Sequence, residues 1–126
     1  MDKPLIILLE DEAIVAGLIE YKIARSAYSY MHFTNGVDGF EAIKTKKPAL
    51  VILDVMLPGM SGFEVLRNLR EDPELKDTPV IMLTAKSRDA DLKTGFSMKV
   101  DDYISKPFKV SELMLRIENI LSKQNR

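Results

Sequence analysis

The chain has 126 residues, is 46% hydrophobic and 29% charged, contains no Cys and no Trp, and carries a formal net charge of −1. That length suits one domain spanning 1–126, and the absence of Cys excludes a disulfide scaffold, a thiolate metal site and a thiol nucleophile. Near-neutral charge argues against nucleic-acid binding through bulk positive charge, and apolar runs no longer than Leu5–Leu9, behind an N-terminus without a signal peptide's apolar core, point to a soluble, cytoplasmic domain.

Along the chain, apolar runs alternate with helical patterns. Leu5–Leu9 reads as a strand buried on both faces and stops at Glu10-Asp11-Glu12. Glu12–Ala27 follows with Ile14, Val15, Leu18, Ile19 and Ile23 at helical spacing. Tyr28–Phe33 is a weaker strand, closed by the turn Thr34-Asn35-Gly36. Val37–Lys46 is a helix that ends before Pro48. Leu50–Leu53 is a fully apolar run that stops at Asp54, and Gly62–Arg70 is the next helix. Pro79–Leu83 is a strand that stops at Thr84, and Arg88–Met98 a helical stretch. Asp101–Ser105 is a short strand before Lys106-Pro107. Val110, Leu113, Met114, Ile117 and Leu121 then mark a last helix, finishing near Ser122. Five β–α repeats with short connections predict a parallel sheet covered by helices on both faces.

In an open parallel sheet, ligands bind outside the carboxyl ends of the strands. Those ends carry Glu10, Asp11, Asp54, Thr84 and Lys106. Singly, each has a bland reading: Asp and Thr after a strand serve as helix N-caps, and a Lys before Pro is an ordinary surface charge. Together, three acids, a hydroxyl and an ammonium are hard to explain by capping. Clustered carboxylates repel unless a cation relieves them. Oxygen-only ligands suit Mg²⁺ or Mn²⁺. One such ion and Lys106 would neutralise Glu10, Asp11 and Asp54, leaving a carboxylate oxygen able to attack phosphorus.

The set Glu10-Asp11, Asp54 within Asp54-Val55-Met56-Leu57-Pro58-Gly59-Met60-Ser61-Gly62, Thr84-Ala85, Asp101-Asp102-Tyr103 and Lys106-Pro107-Phe108 resembles the receiver domain of two-component response regulators, the CheY-like family. The likeness covers essentially the whole chain. It implies a doubly wound, flavodoxin-like (βα)5 fold of five parallel strands in order 2-1-3-4-5 with five helices. It implies Asp54 as phospho-acceptor. Asp11 and Asp54, with Glu10 directly or through water and the Met56 backbone carbonyl, would hold Mg²⁺ (Mn²⁺ as an alternative). Thr84, Lys106 and the Ala85 N–H would hold the phosphoryl group. The Lys106–Pro107 peptide is expected to be cis. Thr84 and Tyr103 would form the switch; the bland alternative for Tyr103 is a half-buried strand tyrosine with its hydroxyl in water.

The same resemblance implies a sensor histidine kinase or phosphotransfer protein as donor, docked on the first helix with Ile14 and Val15 as candidates. Ordinary core packing is the alternative for both. The output surface would be the helix at 88–98, the last strand and the last helix, acting on a downstream protein or on a domain outside these 126 residues. Only Lys123–Arg126 follow the last helix. Asp101, Asp102, Glu112 and Arg116 fit the charged pattern of receiver dimers. Leu92 and Met98 stand where charged partners are expected, so a monomer or a weak, phosphorylation-promoted dimer is predicted. No direct nucleic-acid binding and no membrane contact are expected. Two departures stand out. Lys99-Val100 replaces the family's usual Gly-Ala, which places a lysine where positive φ would cost about 1 kcal/mol. Met56, two residues past Asp54, cannot serve as a general base, and Lys86 flanks the same opening. A Mg²⁺-dependent phosphohydrolase with Asp54 as nucleophile is therefore the second reading rather than the first. A flavin carrier lacks a phosphate loop here, and a scaffold that is never phosphorylated would not need the full set. His32 is expected to be a solvated strand residue.

Overall fold

Alternation of side chains along five short strands explains how one sheet feeds two cores. The computed structural model describes residues 3–85 and 99–124. The elements are β1 (Leu5–Leu9), α1 (Ala13–Ala24), β2 (Ser29–Phe33), α2 (Gly36–Lys46), β3 (Leu50–Asp54), α3 (Gly62–Glu71), β4 (Val80–Ala85), β5 (Asp102–Lys106) and α4 (Val110–Gln124). All four strand pairings are parallel, and the order is β2-β1-β3-β4-β5, as the resemblance implied. The expected helix at 88–98, with Lys86, Leu92 and Met98, lies outside the described residues.

Ile6, Leu8, Leu50, Ile52, Ile81 and Leu83 point to one face of the sheet, where Ile19 and Ile23 of α1 and Leu113 and Ile117 of α4 cover them. Ile7, Leu9, Val51, Leu53, Val80 and Met82 point to the other, against Ile43 of α2 and Val65, Leu66 and Leu69 of α3. Burial on both faces is why β1, β3 and β4 read as unbroken apolar runs rather than as alternating ones.

Helix ends follow local chemistry. Asn35 caps α2 by accepting from the Asp38 N–H at 2.8 Å, and Ser61 caps α3 by accepting from the Glu64 N–H at 3.2 Å. The expected helix over Glu12–Ala27 stops at Ala24 instead. The Ser26 hydroxyl donates to the Ile23 carbonyl at 2.6 Å and accepts from the Tyr28 N–H at 3.1 Å, a local turn that competes with continued helix. The last helix runs to Gln124, past the expected end near Ser122. On α1 the buried residues are Ala16, Ile19 and Ile23, while Ile14 is 81% exposed and Val15 is partly buried against the core. Lys99 adopts φ 63°, the left-handed conformation that its place in the turn before β5 demands. Its carbonyl accepts from Arg70 Nε at 3.0 Å.

Candidate functional site

Sheet register brings the strand ends together. Leu9 of β1 is level with Leu53 of β3, Asp54 with Leu83 of β4, and Ala85 with Lys106 of β5. The residues at and just beyond these positions therefore meet at one sheet edge. Asp54 is held on the ladder by the next residue, whose N–H donates to the Leu83 carbonyl at 3.0 Å. The loop after β3 then folds back. The Gly62 N–H donates to the Val55 carbonyl at 2.9 Å, and Gly62 lies so close to the strand that a Cβ there would stand 2.2 Å from the Asp54 carbonyl oxygen.

Three of the expected residues are buried polar groups: Glu10, Asp54 and Thr84. Lys106 reaches in from β5. Its ammonium donates to Asp54 Oδ2 at 2.9 Å and to Glu12 Oε1 at 3.1 Å, and stands 2.8 Å from Glu10 Oε1. The second Asp54 oxygen accepts from the Met56 N–H at 3.1 Å. The Thr84 hydroxyl donates to the Ala85 carbonyl at 3.3 Å. Tyr103 is half-buried beside Met82, its register partner, on the α2–α3 side of the sheet. The Lys106–Pro107 peptide is cis.

Asp11, adjacent to Glu10 in the chain, is not in the tightest carboxylate cluster. It is exposed, and the clustered carboxylates are Glu10, Glu12 and Asp54, whose oxygens lie within 4.8 Å of one another. Glu12 was not singled out from the sequence, although it is the last of the three acids after β1. His32, expected to be a solvated strand residue, is instead partly withdrawn from solvent. It is half-buried, with Nε2 2.7 Å from the Glu10 carbonyl oxygen and Nδ1 2.9 Å from Glu20 of α1. Sequence distance hid this contact, because only the β2–β1 pairing makes His32 a neighbour of the acidic end.

Electrostatics set the chemistry. Burial pushes the Glu10 carboxyl up to about 7, helped by its hydrogen bond with Asp54 and the charge of that neighbour. Lys106 and the Glu12 N–H pull it down by less. Burial also disfavours the Lys106 ammonium, but the Glu10 and Asp54 carboxylates outweigh it and raise its pKa. Glu10 Oε1 is fully buried, and the Lys106 ammonium at 2.8 Å is the charge that faces it. The carboxylate oxygens of Glu10, Glu12 and Asp54, within 4.8 Å of one another, are the kind of donors that suit a small hard cation. Beside the acids a groove of about 440 Å³ is walled by Val15, Leu18, Ala85, Pro107 and Phe108, with Glu12 and Lys106 on its lining.

Residues 6–118 match the family model of the response regulator receiver domain. The chain is similar to the transcriptional regulatory protein YkoG of Bacillus subtilis, itself uncharacterised, with 42% identity over 99% of this chain and 54% of that protein. It is also similar to the alkaline phosphatase synthesis transcriptional regulatory protein PhoP of the same organism, with 36% identity over 94% of this chain and 48% of that one. The chain thus spans about half the length of these curated relatives. Among solved structures, the receiver domain of a signal transduction histidine kinase from Syntrophus aciditrophicus superposes with a TM-score of 0.89 at 30% identity, over 98% of this chain and 93% of that one. Sequence match, sheet order and the acidic sheet edge agree: the chain belongs to the response regulator receiver domain family.

Proposed function

We propose that this chain is a phosphorylation switch in which Asp54 accepts a phosphoryl group from a sensor histidine kinase or phosphotransfer protein. The observation that carries this reading is the pairing of buried Asp54 with Lys106 at 2.9 Å, at the sheet edge where buried Thr84 also lies, one residue before the end of β4. An Asp54 carboxylate oxygen attacks phosphorus, the bond from phosphorus to the donor imidazole nitrogen breaks, and the imidazole leaves with its electron pair. Lys106 turns its ammonium to the transferring oxygens, with Thr84 and the Ala85 N–H as further donors. Mg²⁺, or Mn²⁺ in its place, would be held by Glu10, Asp11, Asp54 and the Met56 carbonyl, and would supply charge neutralisation at the phosphoryl oxygens. The receiver family binds Mg²⁺ in its acidic site, and the buried Glu10 oxygen supports the same use here.

The product carries one more negative charge than the carboxylate it replaces. That charge draws Thr84 and Lys106, and Tyr103 on the neighbouring strand follows. The altered surface comprises β5, α4 and the segment before them. It acts on a downstream protein or on a domain outside this sequence, as the transcriptional relatives suggest. Nucleic acid is not bound by this chain itself. Arg116 already pairs with Asp102 and with Glu112 at 3.2 Å, which favours a monomer or a weak, phosphorylation-promoted dimer. Exposed Ile14 and Leu18 on α1, with Leu18 lining the groove that Glu12 and Lys106 share, suit docking of the donor. No helix of the described residues is long and apolar enough to cross a membrane, and the reading places the chain in the cytoplasm. Met56 brings no proton-exchanging group two residues past Asp54, which disfavours a turnover phosphohydrolase.

Incubation with acetyl phosphate and Mg²⁺, followed by intact mass measurement, tests the reading. Wild type should gain one phosphoryl group, and Asp54→Asn should gain none. A wild-type chain with neither an adduct nor a response to beryllofluoride overturns it.

A further inference from the structure

Glu12 occupies the N-cap position of α1, yet its side chain makes no capping bond. Ser, Thr, Asp and Asn are the residues that cap well there. The Glu12 carboxylate instead crosses to β5, where Oε1 accepts from Lys106 Nζ at 3.1 Å. Its main chain is tied to the pocket as well, since the Glu12 N–H donates to Glu10 Oε2 at 3.0 Å. One ammonium therefore touches three carboxylates of very different depth. The Glu10 side chain is 0% exposed and Asp54 6%, while Glu12 is 60% exposed.

Depth matters because the two floor carboxylates are also the ones a divalent cation needs. A lysine ammonium has three N–H donors on a long flexible stem. Settled wholly on Glu10 and Asp54, it would block a cation and repel it. At 2.8 Å from Glu10 Oε1 and 2.9 Å from Asp54 Oδ2, the ammonium of the ion-free protein already leans on that floor. A rim carboxylate offers Lys106 a second place to rest.

We propose that Glu12 is a positioning residue that draws the Lys106 ammonium toward the pocket rim and so eases access of a divalent cation to Glu10 and Asp54. The inference rests on the receiver reading above, which assigns the cation to this pocket. Glu12 acts through Lys106 and not as a ligand.

Calorimetric titration of the full chain with MgCl₂ tests this, using wild type, Glu12→Gln, Lys106→Met and the double variant. Glu12→Gln should weaken Mg²⁺ binding by about three- to five-fold, the scale of one partly exposed ion pair. With Lys106→Met already present, the same change should cost less than about two-fold, because the group it acts through is gone. Equal weakening in both backgrounds overturns the proposal, as it would mean that Glu12 acts on the cation itself. Unchanged affinity of Glu12→Gln overturns it too. Glu12→Asp serves as a check that needs no change at Lys106: it keeps the charge, shortens the reach and favours capping, so it should weaken binding as Glu12→Gln does. Wild-type affinity in Glu12→Asp counts against positioning. Absence of Mg²⁺ binding by wild type would instead remove the receiver reading, and this inference with it.

Discussion

The Lys106 ammonium meets Asp54 Oδ2 at 2.9 Å although their strands are not neighbours. β4 lies between them, so the two backbones are two strand spacings apart, about 9–10 Å. A lysine stem is long enough to cross that gap, and the side chain arrives 17% exposed among the Glu10, Glu12 and Asp54 carboxylates. Removing it leaves buried acids without their cation. Lys106→Ala should destabilise the ion-free protein by about 2–4 kcal/mol at pH 8. Urea unfolding measures this, and the loss should shrink at pH 5, where Glu10 carries a proton.

Glu10 gives the pH dependence its sign. Its carboxyl titrates near 4.5 when unfolded and near 7 when folded. Between those values the folded chain binds more protons than the unfolded one, so stability falls as pH rises through that window. The ion-free protein should lose on the order of 1–3 kcal/mol from this group between pH 4.5 and pH 7.5, the effect being fully present below pH 4.5. Denaturant midpoints across that range measure it.

Cation binding has the opposite sign, because a ligand carboxylate must be deprotonated. With one group titrating near 7, Mg²⁺ affinity should be about ten-fold weaker at pH 6 than at pH 8, and binding at pH 6.5 should release protons to the buffer. Calorimetry in buffers of different ionisation enthalpy separates the two. A flat affinity from pH 6 to pH 8 would exclude Glu10 from the cation's surroundings.

Gly62 is the backbone contact that sets Asp54 in place. A Cβ at this position would stand 2.2 Å from the Asp54 carbonyl oxygen and 2.8 Å from Val55 Cα, both main-chain atoms that cannot swing aside. Gly62→Ala should cost about 1–3 kcal/mol of stability. Because the strain falls on Asp54, the rate of phosphoryl transfer from acetyl phosphate should drop in the fraction that remains folded. Thermal unfolding and adduct formation measured on the same sample test both parts.

Lys99 carries positive φ where glycine would sit without strain. Its carbonyl is fixed by Arg70 Nε, so the conformation is held from outside the turn. Lys99→Gly should relieve about 1 kcal/mol of steric cost and give back part of it through a freer unfolded chain. The expected net gain is about 0.5 kcal/mol, read as a small rise in the urea midpoint with an unchanged slope.

Much of this protein is local and therefore legible in the residues alone. The apolar runs of β1, β3 and β4 announce strands buried on two faces, because each side chain must find an apolar neighbour above or below the sheet. The strand-end residues Glu10, Asp54, Thr84 and Lys106 could be picked out because a parallel sheet presents its carboxyl ends on one side. What the sequence alone could not decide depends on contacts between distant segments. The α1 pattern contains more apolar residues than it buries, and only packing against β1 and α4 selects Ala16, Ile19 and Ile23 and leaves Ile14 in water. Asp11 and Glu12 are equivalent in the string of acids. The start of α1 decides that the Glu12 side chain faces Lys106 while Asp11 is exposed. His32 reads as a lone polar residue on a weak strand until β2 pairs with β1 and sets it against Glu10. Composition and period determine which segments are strands and helices, since those are short-range preferences. Which charges meet, and therefore how the acidic pocket is balanced, is decided by the tertiary structure, because Coulomb and hydrogen-bond energies depend on distances that sequence separation does not encode.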